Sequence, residues 1–419
     1  MMNLLLNFKN ETGYISPLNN DMQLSKLKDK IKLRLYNFLK TRLPINTKYR
    51  PKGIVQLESI KNSPGISYYE INPAYTSKLS LPSKFFEECS VYIKPTLLAN
   101  YPGDFVVSLT NGRIYNIDYG NIAVMSGDNF FIDGLSFQWE SIENGDDIAP
   151  PARNSIFTRK MFGHPVKYTG TVFSLLSGGG AIDYYYHWVI DSIPKLHLLK
   201  QSGLLDQIDY FLVPNYVLPF QKQYLKHFGI DESKIINANK IRHIEADRLV
   251  VASYIRIMAH LPNWVPEFLR RSFVTEAPQT TGKLIYISRK DSPLSRKVVN
   301  EAQVVELLKP MGFEVYVLSG LDIWEQARLF NSARLIVASH GGGLTNLVFC
   351  NPGTKLLEFF PENYMNHLFY DIAIKNGIRY DYMVYKADEH TLDTPYKSTT
   401  NVVADLPSLE AKVKALLAE

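Results

Sequence analysis

Residues 283–360 constrain the fold more than any other stretch. Four short apolar runs stand there: Lys283-Leu284-Ile285-Tyr286-Ile287-Ser288, Phe313-Glu314-Val315-Tyr316-Val317-Leu318, Ala333-Arg334-Leu335-Ile336-Val337-Ala338 and Lys355-Leu356-Leu357-Glu358-Phe359-Phe360. Between them, residues 300–311 and 323–332 carry helical periodicity. Strands that alternate with helices predict a parallel sheet, because parallel neighbours need a crossover and a helix supplies it. The third run passes without a break into Ser339-His340-Gly341-Gly342-Gly343-Leu344-Thr345-Asn346. An earlier alternation has the same form: a helix over 184–201, the strand Asp209-Tyr210-Phe211-Leu212-Val213-Pro214, a helix over 219–228 and the strand Arg248-Leu249-Val250-Val251-Ala252. The expectation is α/β, with two doubly wound units joined near 276–282.

A chain of 419 residues exceeds a single ordinary core, which stops growing near ~250 to 300 residues. Two domains with extensions are therefore expected. Residues 67–138 read as an antiparallel β section, with Asn111-Gly112 as a hairpin signal, and 140–154 as a polar surface link. Residues 25–44 form an amphipathic pattern rich in Lys and Arg. Its basic face would suit anionic head groups; a helix packed on its own domain is the alternative. Residues 406–417 carry one apolar face and read as a closing helix.

The net charge of +5 is mild and supplies no nucleic-acid footprint. Cys89 and Cys350 have no CxxC spacing, so neither a disulfide framework nor a zinc site is encoded. No run of about 18 apolar residues is present for a membrane span. These features fit a reducing, cytosolic chain that is soluble or peripheral.

Three constellations could carry chemistry. The first is the glycine turn. A buried strand opening into a helix puts unpaired N–H groups and the positive end of a dipole at the sheet's carboxyl edge, and Gly341, Gly342 and Gly343 would let a phosphate approach the backbone. His340 would add a hydrogen bond or a charge. A tight strand-to-helix turn without a ligand is the alternative. The second follows a strand end at the same edge: Ile287-Ser288-Arg289-Lys290, then Arg296 and Asn300-Glu301. Guanidinium forks suit a diphosphate, whereas Asn300 can serve as a helix cap. The third is Asp183-Tyr184-Tyr185-Tyr186-His187-Trp188-Val189-Ile190-Asp191-Ser192-Ile193-Pro194-Lys195. His187 and Asp191 share a helical face and could act as a general base; a satisfied interior histidine is the bland reading. No HExxH or second ligand cluster supports a metal.

At these segments the chain resembles glycosyltransferase family 61, over roughly 67–381. The resemblance rests on the run from Tyr186 to Leu196, on Ile287-Ser288-Arg289 with Arg296 and Asn300-Glu301, on Glu325-Gln326, on the glycine turn through Asn346, and on Phe349, Pro352-Gly353 and Glu358-Phe359-Phe360-Pro361. Two departures stand out: Gly342 where the family more often has Ala, and Asp183 where it often has Asn. The resemblance implies a GT-B architecture of two facing Rossmann-like domains. An N-terminal β-rich and helical extension (1–66) would precede an acceptor-side domain (67–278), a nucleotide-sugar domain (279–402) and a closing helix returning to the first (403–419). It implies inverting transfer, without metal or cofactor, from a nucleotide sugar to a glycan or lipid-linked saccharide. Bacterial capsular or lipopolysaccharide synthesis would be the setting, in the cytoplasm or at the inner membrane face.

In that reading His187 or Asp191 is the base. Arg289, Arg296, His340, Asn346 and the glycines hold the donor, and Glu358 accepts from the ribose. An inactive GT-B scaffold is the rival. A Rossmann oxidoreductase fails for want of GxGxxG with its ribose-binding acid.

Overall fold

The structure is a computed structural model describing residues 46–90, 95, 97–118, 120–142, 145–177, 183–257, 259–274, 282–292, 296–388 and 400–419. The basic segment 25–44 and most of the 276–282 junction lie outside the described residues. The chain divides into two compact units, 1–48 with 160–162, and 49–159 with 163–419. In the first, Asn46 bridges Met161. All that follows concerns the second.

Its N-terminal half builds a mixed twelve-stranded sheet among the described residues. Strands β1 (Asp104–Thr110), β2 (Arg113–Asp118) and β3 (Asn121–Met125) form an antiparallel region. The parallel region follows with β4 (Val166–Ser174), helix α1 (Lys195–Gln201), β5 (Tyr210–Val213), α2 (Pro219–His227), β6 (Ile235–Asn237) and β7 (His243–Ala252). Its spatial order is β7-β4-β5-β6, all parallel. After β5 and β6 the chain returns to the far side of β4, so the strand order reverses between β4 and β7.

The Asn111-Gly112 hairpin expected from the sequence is not formed. β1 pairs with Arg248–Ala252 and β2 with His243–Glu245, so both lie antiparallel along β7 as one interrupted strand. Asn111 adopts φ 51° and donates to Asp247 O, and a Cβ on Gly112 would lie 2.6 Å from Leu249 Cβ. The dipeptide makes a bulge that lets one strand edge pair on past a kink.

Helix α3 (Trp264–Phe273) leads to the second half. There, β8 (Lys283–Ser288), α4 (Glu301–Leu308), β9 (Phe313–Val317), α5 (Ile323–Asn331), β10 (Ala333–Ser339), β11 (Lys355–Pro361), α6 (Leu368–Lys375), β12 (Arg379–Ala387), β13 (Val402–Val403) and α7 (Leu406–Ala418) succeed one another. The sheet order is β9-β8-β10-β11-β12-β13, parallel except for β13. The strand order reverses between β8 and β10. Strands β10 and β11 are buried almost throughout, as expected for parallel strands covered on both faces.

The α/β alternation is thus present in both halves, on a first sheet that is mixed rather than purely doubly wound. The closing helix departs from expectation. Leu409, Val413 and Leu416 of α7 pack with Tyr286, Leu335 and Leu357 of the second sheet and Val304 and Leu308 of α4. Its apolar stripe is covered by the sheet it follows, so nothing draws it back to the first half. Another core joins the halves: Phe173, Trp188 and Val250 cluster with Leu344, Leu347 and Phe349.

Candidate active site

The helix expected over 184–201 is broken into three. A turn of helix at Tyr185–His187 gives way to a π-helical turn at Trp188–Ser192, and α1 begins after Pro194. Ile193 N–H reaches back five residues to Trp188 O, at 3.1 Å. Insertions of this kind concentrate at functional sites. Across this turn His187 Nδ1 lies 2.7 Å from Asp191 Oδ2, so the expected pair is brought together.

A third member was not read from the sequence. Arg256 donates from Nε to Asp191 Oδ1 at 2.6 Å and from Nη2 to Oδ2 at 3.2 Å. Burial alone would raise the Asp191 carboxyl; the Arg256 charge and the His187 bond outweigh it and hold the group below its usual range. Asp191 is almost fully enclosed, whereas the His187 side chain keeps 29% of its surface exposed. An ionised carboxylate only accepts, so Nδ1 carries the hydrogen and, in the neutral ring, Nε2 the lone pair. The histidine is therefore the more exposed member of the pair, and Asp191 orients it. Arg256 lies four residues beyond β7, at a strand's carboxyl end, and a search for charged residues at such ends would have found it.

Lys195 is fully buried beside this group. Its Nζ donates to Leu176 O at 2.5 Å and lies 5.3 Å from the Tyr254 ring centre. Burial lowers the amine to about 7, against a smaller opposing pull from Asp191.

The glycine turn and Arg289 meet at the other reversal point, between β8 and β10. A Cβ built on Gly341 would fall 1.7 Å from Arg289 Nη1, so the guanidinium occupies the space a side chain would need. Arg289 also donates to Ser292 Oγ at 3.1 Å. Burial, and then the charge of Arg296, lower Arg289 to about 10. Two mutually repelling cations thus share one enclosed place. Arg296 adopts φ 60°, and its buried Nε has no hydrogen-bond partner. Gly342 has open space where a Cβ would point, and Gly343 lies against Leu318. Asn300 caps nothing; its amide exchanges two hydrogen bonds with the Ala404 backbone.

Three expected donor contacts are corrected. His340 is buried, with Nδ1 2.5 Å from Glu358 Oε1 and Nε2 accepting from Asn366 Nδ2 at 2.9 Å. Both ring nitrogens are committed. Burial and the charges of Arg296 and Arg289 push the imidazole far below its usual value, so it supplies no positive charge. Glu358 is fully buried, also bonded to the Tyr380 hydroxyl, and burial raises it to about 8. It offers no face to a ribose. Asn346 accepts from Tyr185 Oη at 2.7 Å and donates to Gln326 Oε1, leaving it as a tie between the halves.

The two groups are linked through Tyr184, Tyr185 and Tyr186. The Tyr184 ring lies 6.4 Å from His187, and its hydroxyl interacts electrostatically with Arg296. Tyr185 binds Asn346, and Tyr186 packs on Phe369, which packs on His340. No group of three or more His, Cys, Asp or Glu that could hold a metal occurs among the described residues, and no helix there is long and apolar enough to cross a membrane.

The arrangement combines an oriented histidine–carboxylate pair, an enclosed double cation and a glycine turn that is part-buried at Gly342 and Gly343. The family model for glycosyltransferase 61 matches residues 185–357, which run from Tyr185 through the π turn, both arginines and the glycine-turn helix into β11. Curated relatives match with it. One is a beta-1,2-xylosyltransferase of Oryza sativa subsp. japonica, 29% identical over 148 residues, 34% of this chain and 26% of the relative. An alpha-1,3-arabinosyltransferase of the same plant is 29% identical over 128 residues, 29% of this chain and 22% of the relative. A xylan glycosyltransferase of Arabidopsis thaliana is 26% identical over 124 residues, 28% and 25%. The chain spans about a quarter of the length of the relatives it matches. The expected capsular and lipopolysaccharide setting gains no support from them.

Proposed function

We propose that this chain is a glycosyltransferase of the GT-B kind, moving a pentose or hexose from a nucleotide sugar to a glycan or lipid-linked acceptor with inversion. The observation that carries the reading is the placement of Arg289 against Gly341, with the charge of Arg296 acting on it, at the point where the strand order reverses. Ligands of open α/β sheets bind in the crevice outside such a point. Burial lowers both guanidinium groups, and the charge of Arg296 lowers Arg289 further; an anion relieves them, and a diphosphate matches their forks.

His187 Nε2 takes the proton of an acceptor hydroxyl. The freed oxygen attacks the anomeric carbon, and the bond to the diphosphate oxygen breaks with its electron pair leaving on the phosphate. Arg289, Arg296 and the N–H groups opening the helix at Gly342 stabilise that charge. Asp191 holds the imidazole in its tautomer and supports the imidazolium that forms, while Arg256 keeps the carboxylate ionised and fixed. Cation at the leaving group comes from arginine in this reading, so turnover without a metal is part of the proposal. A cytosolic chain working at a membrane face is also part of it, resting on the basic residues 25–44.

The test is release of nucleoside diphosphate from a panel of nucleotide sugars, with and without a chelator. Turnover that survives chelation and falls about 10² to 10⁴-fold in His187→Ala supports the reading. Equal turnover in wild type and His187→Ala would sink the assignment of the base.

A further inference from the structure

The base and the donor arginines leave one feature of the first half unused. A cavity of about 340 Å³ opens where the strand order reverses between β4 and β7, with Asp191 and Arg256 in its wall. That volume lies at the low end of ligand sites, roughly 300 to 1,000 Å³. It has room for a ring of monosaccharide size. Tyr101, Phe105, Phe137 and Tyr254 give the wall four aromatic rings, and Asp133 adds a second carboxylate.

Its hydroxyls are spoken for by the chain itself, and Asp133 Oδ1 accepts from Gly134 N–H. Ser136 Oγ exchanges hydrogen bonds with the Val124 backbone, and Ser253 Oγ accepts from Phe105 N–H. Ser177 pairs with Ser192, and the Tyr254 hydroxyl donates to Leu135 O. Gln138 differs. It is 3% exposed, its amide nitrogen donates to Ala149 O at 3.0 Å, and its Oε1 is buried without a partner. An acceptor left unpaired in a closed place costs about 1 to 3 kcal/mol. A ligand hydroxyl would satisfy it.

We infer that this cavity is an acceptor subsite for a single sugar ring, whose apolar face lies on the aromatic wall and one of whose hydroxyls donates to Gln138 Oε1. The inference rests on the transferase reading for the word acceptor, and on the cavity alone for the ligand class. A sugar ring has the two properties the wall selects, an apolar face for aromatic contact and hydroxyls at its rim. Arg256 and Asp191 would then meet the same ring at its inner side, and the residue seated here would be the one next to the reacting hydroxyl or the one that bears it.

Saturation-transfer NMR with the methyl glycosides of xylose, arabinose, glucose, galactose and N-acetylglucosamine tests the subsite on the full chain. Gln138→Leu removes the acceptor atom. At least one glycoside should bind the wild type, and tenfold or more weakly in Gln138→Leu. The thermal shift given by uridine diphosphate should be the same in both. Equal glycoside binding in Gln138→Leu and wild type, or no binding to the wild type, overturns the inference. Gln138-dependent binding without turnover of any donor would leave the subsite standing and remove the transferase reading. Normal turnover with Gln138-independent binding would do the reverse.

Discussion

Arg256 Nε sits 2.6 Å from Asp191 Oδ1, on the carboxylate oxygen that His187 does not use. One carboxylate thus serves two cationic or potentially cationic neighbours, His187 on Oδ2 and Arg256 on both oxygens. Replacing Arg256 with Met should remove what holds Asp191 ionised, leaving burial to raise its pKa. Breaking a buried pair from one side costs roughly 3 to 5 kcal/mol. The turnover number should fall, the acidic limb of the pH profile should move to higher pH, and the melting temperature should drop. An acidic limb unmoved in Arg256→Met would show that Arg256 does not set the carboxylate's charge.

Gly341 and Gly342 should respond differently to the same methyl group. In Gly341→Ala the new Cβ would displace the Arg289 guanidinium, the far end of a flexible side chain, so the fold should survive while donor binding weakens. Charge-assisted hydrogen bonds are worth about 1.5 to 3 kcal/mol, so donor KM should rise roughly tenfold to a hundredfold. Gly342→Ala points into open space and should fold as wild type. Comparable donor KM in Gly341→Ala and wild type would remove Arg289 from the donor site.

His340 should behave as a residue of the fold. His340→Ala strips partners from Glu358 and Asn366 in a closed place, and lost buried hydrogen bonds cost about 1 to 3 kcal/mol each. Unfolding in denaturant should show that loss. Nucleotide affinity at a temperature where the variant is folded should change much less than in Arg296→Met. A larger loss of affinity in His340→Ala than in Arg296→Met would return His340 to the diphosphate.

Lys195 gives a prediction with a definite sign. Its folded pKa of about 7 lies below the value of 10.5 for the free side chain. Between those values the unfolded chain binds the extra proton, so stability from this group rises with pH across the window. Below about 7 both states are charged and the burial cost stands in full. Lys195→Met should therefore gain more, relative to wild type, at pH 6 than at pH 9. A difference between the two proteins that is flat with pH would mean the amine titrates normally.

The parts of this picture written in local pattern were legible in the sequence. The apolar runs of β8 to β11 and their crossovers dictate a parallel sheet, and a parallel sheet dictates which edge carries Arg289 and Gly341. His187 and Asp191 were readable because their spacing of four is a property of one helical segment. What depended on distant partners was not readable. Asn111-Gly112 has hairpin chemistry, but β7 offers both flanking strands a place along one edge, and tertiary pairing decided the outcome. His340 and Glu358 are polar residues at a sheet edge, and nothing local shows that Asn366 and Tyr380 close over them. Arg256 belongs to a loop 65 residues from the carboxylate it binds, beyond the reach of any spacing rule. The stripe of α7 could be read, but not which sheet would cover it.

The three successive tyrosines have a mechanical meaning. Tyr185 is anchored to Asn346 beside the glycine turn, and His187 stands two residues further along the same backbone. Lengthening or shortening that segment by a single residue would rotate His187 by about 100° around the helical axis, away from Asp191. The separation of His187 from the glycine turn is thus metered by the chain's own pitch, in the way a vernier reads one scale against another.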